Sequence, residues 1–312
     1  MTKREDRVSF GIKTSQLGLT YQDILATWRQ ADSIEVFKHA WLWDHMVPMR
    51  GDARAAALEA WTLLAALAAL AAQTSRLRLG VMVTSNRLRL PTLLAKMAAT
   101  VDVVAAGRLD FGIGAGGSLP TADSGAMLAS EVNPAFREFE AYGVPLVAAG
   151  EAIRDLAQSL QVIRRMWTEE EPFDFDGHSI HLRSAVCEPK PVQQPHPPIV
   201  IGAQGDRALR VVAEYADIWN FPWPSVEDFR RRSQYLDHCC EAIGRPPAAI
   251  VRSVQLIVRA DDCAEPAASR ALLAKLIDAG ATHFVLAPVL GDRPLQWLVD
   301  NVVEPVLGGA EG

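Results

Sequence analysis

The chain has 312 residues, of which 49% are hydrophobic and 22% charged, so it is long enough and apolar enough to bury a large core, and a disordered protein is excluded. Its net charge of −6, with no basic block, argues against a nucleic-acid partner. The start, MTKREDRVSF, lacks an apolar h-region, so no secretory signal is expected. Cys187, Cys239, Cys240 and Cys263 form no C-x-x-C pair, which suits a reduced, cytoplasmic setting.

Strand-like and helix-like segments alternate along the chain. The expected strands are Val8–Thr14, His39–Asp44, Leu77–Thr84, Leu109–Gly114, Pro198–Ala203, Asp217–Phe221, Val251–Arg259 and His283–Val289. Several are continuous apolar runs, as in parallel strands covered on both faces. The expected helices are Tyr21–Ser33, Leu58–Thr74, Thr92–Ala105, Ala152–Trp167, Asp206–Tyr215, Val226–Ile243, Ala267–Ala279 and Pro294–Val306. Thr20 and Asp23 suit a capping box before the first. Pro91 suits the start of the third, and Gly280 the end of the seventh. The apolar stretch Ala55–Ala72 reads as a buried helix rather than a membrane span, because alanine is a weak membrane residue and Glu59 interrupts it. Eight alternating pairs with no dividing linker predict one (β/α)₈ TIM barrel over 1–312.

Two connections break the rhythm. Gly116 to Gly150 follows the fourth strand and includes NPAFREFEAYG; long loops of this kind are usually lids or binding loops. Glu171 to Pro198 precedes the fifth strand and holds a hairpin pattern around Asp176-Gly177.

Candidate chemistry sits at strand ends, which in a barrel face the catalytic rim. Asp44-His45 offers an acceptor beside an imidazole, a side chain suited to giving and taking a proton. Gly112-Ile113-Gly114-Ala115-Gly116-Gly117 matches G-x-G-x-x-G, but it ends a fourth strand and no helix follows at once, so glycines that admit a planar ligand fit better than a dinucleotide fingerprint. Gly202-Ala203-Gln204-Gly205 leads directly into a helix, where free N–H groups and the helix dipole favour an anion. Asn220, with Trp219, Phe221 and Trp223 around it, suits an apolar pocket for a ring-shaped substrate. His178 and His181 lack a clear third ligand, so no metal site is expected.

Taken in order, AWLWDHM, EAWTLLAALAA, TSRLRLGVMVT, PTLLAKMAATVDVVAAGRLDFGIGAG, EAYGVP, CEPKPVQQPHPPIVIGAQG and YADIWN resemble the bacterial luciferase-like superfamily, over roughly Val8 to Arg259. The resemblance implies coenzyme F420 or FMN lying over strands two to four, with Asp44 and His45 near its reactive edge and His45 as the catalytic group. It implies a bulge in strand three, with a cis peptide in some members, at Val81 and Met82. Thr84 and Gly116 would lie near the ring, and Gly202, Ala203, Gln204 and Gly205 at the phosphate; Asn220 and Trp223, read from the strand end itself, would meet the substrate. The implied activity is hydride transfer between F420 and a small organic substrate. The alternatives are an FMN-dependent monooxygenase or a non-catalytic flavin-binding protein. A homodimer is also implied, since such barrels often pair through helices two and three. The chain departs from the family at Gly117, where many relatives carry a bulky or acidic residue, and in an insertion from Ser118 to Asn133.

Overall fold

In the computed structural model, which describes residues 7–48, 52, 54–69, 76–117, 119, 134–260 and 265–308, every expected strand forms. β1 (Ser9–Thr14) pairs in parallel with β2 (Phe37–Leu42) on one side and with β11 (His283–Val289) on the other. The third barrel position is split into β3 (Arg78–Val81) and β4 (Thr84–Ser85). β3 joins β2 to β5 (Leu109–Gly114), and β4 continues the pairing with β5. Then come β8 (Ile199–Gly202), β9 (Ile218–Pro222) and β10 (Val251–Arg259), which pairs with β11 and closes the ring. All these pairings are parallel. With β3 and β4 sharing one position, the result is a closed eight-position (β/α)₈ barrel. The expected hairpin is β6 (Phe173–Asp176) against β7 (His181–Ala185), antiparallel and outside the barrel.

The helices α1 (Tyr21–Ser33), α2 (Ala60–Ala69), α3 (Pro91–Val104), α5 (Ala149–Thr168), α6 (Asp206–Tyr215), α7 (Val226–Ala242) and α8 (Glu265–Asp278) alternate with the barrel strands. α4 (Pro134–Ala141) lies inside the long connection after β5. The Thr20–Asp23 capping box forms, and Pro91 opens α3. α2 buries Trp61, Leu63, Leu64 and Leu67 rather than spanning anything. No helix among the described residues is long and apolar enough to cross a membrane. The last helix runs through Leu295–Leu298, widens into a π turn at Val299–Val303, and resumes at Glu304–Leu307. Pro305 has no N–H for the Asn301 carbonyl four residues back, and Arg270 donates to that carbonyl instead at 2.8 Å.

Inside the barrel the side chains form layers. At the N-terminal end Arg78 holds Asp110 by two bonds, at 2.6 and 2.9 Å. Above them, His39 of β2 and His283 of β11 stack with centroids 3.9 Å apart. β1 runs between those two strands, and the rings can meet because Gly11 has no side chain; a Cβ there would overlap His39. Next lies an apolar layer of Trp41, Met82, Val200 and Val285. The layer nearest the C-terminal mouth is polar, and the site is built on it.

Candidate functional site

The C-terminal ends of β2, β4, β5 and β8 are consecutive around the barrel, so the segments after them form one continuous half of the mouth. Asp44 is buried there, but its carboxylate is fully engaged. Arg89 grips both oxygens, at 2.7 and 2.9 Å, and the Ser85 N–H donates at 3.0 Å. Arg89 also pairs with Glu59. Asp44 therefore ties the β2 end to the β4 end, and the neighbouring residues carry the open polar groups.

His45 is partly exposed, and its Nδ1 lies 3.3 Å from Glu138 of α4. Glu138 is buried and also accepts the Met46 N–H. A carboxylate on Nδ1 holds the imidazole in the tautomer that leaves Nε2 for a ligand. The Trp43 ring stands 5.9 Å from the His45 ring. Gln16 fixes the Trp43 backbone from both sides, donating to its carbonyl at 2.6 Å and accepting its N–H at 2.9 Å.

The bulge in the third strand is present, and the cis peptide lies between Met82 and Val83, one residue later than the family resemblance implied. The Val81 side chain joins the helix-side core, and Met82 points into the barrel. Val83 then lies over Gly114 and Gly202: a Cβ on either glycine would come within 2.9 to 3.0 Å of its methyl groups. These glycines make room for Val83 in the first place, and Val83 forms the shelf at the mouth. Gly116 has φ +78°, and a Cβ there would overlap the Ser85 hydroxyl. Thr84 is fully buried and its hydroxyl accepts from Trp61 Nε1 at 3.0 Å. Replacing Trp61 by Phe strands that hydroxyl, so a loss of about 1–3 kcal/mol is expected, read as a lower midpoint in urea unfolding.

Five buried side-chain atoms lack a hydrogen-bond partner among the described residues, and four of them are on this rim: Trp43 Nε1, Ser85 Oγ, Asn86 Oδ1 and Arg87 Nε. Buried polar groups are seldom left unpaired, so a cluster of them marks where a polar ligand edge belongs. Next along the rim, Ala203, Gln204 and Gly205 lead into α6. Gly205 is its N-cap and supplies no side-chain cap, and the Ala203 N–H is already bound to the Asn220 carbonyl. Arg207 reaches toward Gly150 in the first turn of α5, whose N-cap Ala148 also gives no side-chain bond. Two uncapped helix starts beside an arginine suit an anion.

The other half of the mouth belongs to β9, β10, β11 and β1. Asn220 is sealed at 0% exposure. It donates to Ser253 at 2.8 Å and accepts from Gln255 at 2.6 Å, so it acts one step behind the surface. Trp223, 45% exposed with φ +53°, stands at the rim. Trp219 and Phe221 do not line the pocket mouth as expected. Strand alternation turns them outward, and Trp219 stacks on Phe229 of α7 at 5.7 Å. His178 and His181 pair with Asp155 and Asp176 on the surface, and Ser118 and 120–133 lie outside the described residues.

Sequence reasoning passed over Glu138 and Lys13. Glu138 is 93 residues from His45 and lay inside an aromatic segment read only as a loop. Lys13 sits in a strand, where a lysine ordinarily marks the solvent face.

A model of the luciferase-like monooxygenase family matches residues 7–293. A phthiodiolone/phenolphthiodiolone dimycocerosates ketoreductase of Mycobacterium sp. (strain JLS) is 31% identical over 208 residues, 65% of this chain and 48% of that protein. The chain spans about half the length of the curated relatives it matches. An F420-dependent secondary alcohol dehydrogenase, solved in complex with an F420–acetone adduct, has a TM-score of 0.78 at 17% identity, covering 96% of this chain and 99% of that one. A monooxygenase from Streptomyces bottropensis has a TM-score of 0.72, also at 17% identity, covering 95% and 99%. At those identities the two structures attest the shared fold. The split third strand, the rim built on its end and a family match along most of the sequence lead to one conclusion: this chain belongs to the luciferase-like monooxygenase family.

Proposed function

We propose that the protein is an oxidoreductase that moves a hydride between the deazaflavin coenzyme F420 and a small, largely apolar organic substrate. The observation that carries this reading is the cluster of unsatisfied polar atoms on Trp43, Ser85, Asn86 and Arg87 beside the Val83 shelf. An apolar ligand would leave them unpaired, at about 1–3 kcal/mol each. A flat ring with amide-like donors and acceptors on one edge fits them, and the uncapped start of α6 fits its phosphate. F420 and FMN both have these parts. F420 is preferred because one structural relative is an F420-dependent alcohol dehydrogenase and the matched mycobacterial protein is a ketoreductase.

When bound, the deazaflavin supplies a ring carbon that gives or takes a hydride. The chain's own groups do the rest. Val83 and the backbone at Gly116 shape the slot, Arg87 and Asn86 orient the ring edge, and Asp44–Arg89 keeps the two rim segments in register. Glu138 orients His45, whose Nε2 gives a proton to the substrate oxygen in reduction and takes it back in oxidation.

Titrating the purified chain with oxidised F420 and with FMN, followed by absorbance, tests this. The expected result is saturable binding of F420 and loss of reduced F420 when a ketone is added. Binding of FMN but not F420, with oxygenation of the substrate by reduced FMN and oxygen that free reduced FMN does not give, would replace the proposal with a monooxygenase.

A further inference from the structure

Lys13 lies two residues after Gly11 on β1, on the same inward face, in the polar layer at the barrel mouth. It is 7% exposed. Its Nζ donates to Gln255 Oε1 of β10 at 2.7 Å, and β11 separates those two strands, so the bond crosses the barrel interior. On its other side the Nζ stands 4.4 Å from the centroid of the Trp43 ring. No carboxylate is within ion-pair distance of it among the described residues. The titratable groups around it are already accounted for. Below, His39 and His283 are held neutral by burial. Toward the rim, Asp44 belongs to Arg89, and Glu138 to His45. β9 and β10 contribute the amides of Asn220 and Gln255 and the hydroxyl of Ser253, none of which carries a charge.

A lysine has three donors, and here one meets an amide and the ammonium meets a ring face. The amide is itself fixed: Gln255 donates to Asn220, Asn220 to Ser253, and Ser253 bonds His283 Nδ1 at 2.8 Å. A buried cation held in a rigid cradle without a counter-ion is a site for an anion delivered by a ligand. It also lies across Trp43 from the half of the mouth assigned to the coenzyme.

We infer that Lys13 is the substrate-recognition residue of this site, binding a carboxylate on an otherwise apolar substrate, with Gln255 holding the amine in place and Trp223 covering the mouth. This rests on the proposed function for the identity of the coenzyme half, but the binding step itself needs no coenzyme. Burial lowers the free amine to about 7, by desolvation. Docking of a carboxylate favours the ammonium, so binding takes up a proton when the pH is above that value.

The test is calorimetric titration of the full chain with benzoate and its neutral isostere benzamide, with and without F420, in buffers of different ionisation enthalpy. Benzoate should bind at least tenfold tighter than benzamide at pH 7. Its affinity should fall by about tenfold per pH unit above pH 7, with uptake approaching one proton per site, while benzamide stays flat. Lys13→Met and Lys13→Gln should both abolish the preference and leave F420 binding intact. Equal affinity for the two probes, no binding of either, or an unchanged benzoate affinity in the variants overturns the assignment. If F420 still binds in that case, the coenzyme reading survives alone. If benzoate binds as expected but F420 does not, the Lys13 assignment survives and the coenzyme reading falls.

Discussion

Replacing Lys13 by Met should stabilise the protein at pH 6 by several kcal/mol, and the gain should shrink as the pH rises. Burial lowers the amine from 10.5 to about 7. Below pH 7 both the folded and unfolded chains carry the proton, and the folded chain bears the whole desolvation cost. The shift of 10.5 − 7, or 3.5 pH units, corresponds to about 5 kcal/mol at most, at about 1.4 kcal/mol per unit. The lost bond to Gln255 takes back about 1 kcal/mol. Between pH 7 and 10.5 the unfolded chain holds the proton and the folded chain does not, so wild-type stability climbs with pH. At pH 9.5 the desolvation cost that remains is about 1.4 kcal/mol. Urea unfolding of both chains at pH 6 and 9.5 reads this directly. A Met variant less stable than wild type at pH 6 would mean that Lys13 has a counter-ion. Such a gain is common when a residue serves function at the expense of stability.

His45→Gln should lower kcat by about 100- to 10,000-fold, the usual contribution of a positioned proton-transfer group. F420 affinity should change little, because the orphaned atoms that meet the ring are on other residues. Glu138→Gln should cost less, about 10- to 100-fold, since it removes the group that orients the imidazole and leaves the imidazole itself. The diagnostic feature is the split: kcat falls, coenzyme binding holds, and Glu138→Gln changes the pH profile of kcat. Full turnover in His45→Gln would remove His45 from the chemistry and favour a protein that only binds its flavin.

Most of the barrel was legible because buried parallel strands are continuous apolar runs, and PIVIGA and THFVLAP both fell on strands. The split third strand was harder to read. LGVMVTS is uniformly strand-like, and nothing in its composition tells where pairing passes from β3 to β4; family likeness supplied the bulge and missed the cis bond by one peptide. The rim glycines were legible as places needing space. That the space at Gly114 and Gly202 goes to Val83 depends on a neighbouring strand and is not local information. The aromatics around Asn220 misled for a related reason. Alternation sends Asn220 inward and Trp219 and Phe221 outward, and a cluster of aromatics looks alike on either face. Lys13 is the clearest case. In a half-exposed sheet a lysine belongs to the solvent face, but a barrel strand has no solvent face, and only the closed ring shows that this one is trapped.

In the proposed function, the rim after β2, β4, β5 and β8 receives one ring-bearing, anionic coenzyme. A crystal structure of the chain grown with F420 tests it most directly. The ring should lie against Val83 and the backbone at Gly116, with its polar edge on Asn86, Ser85 and Trp43 and its phosphate at the start of α6. A coenzyme bound anywhere else, or Trp43, Ser85, Asn86 and Arg87 still unpaired with the ring in place, would contradict it.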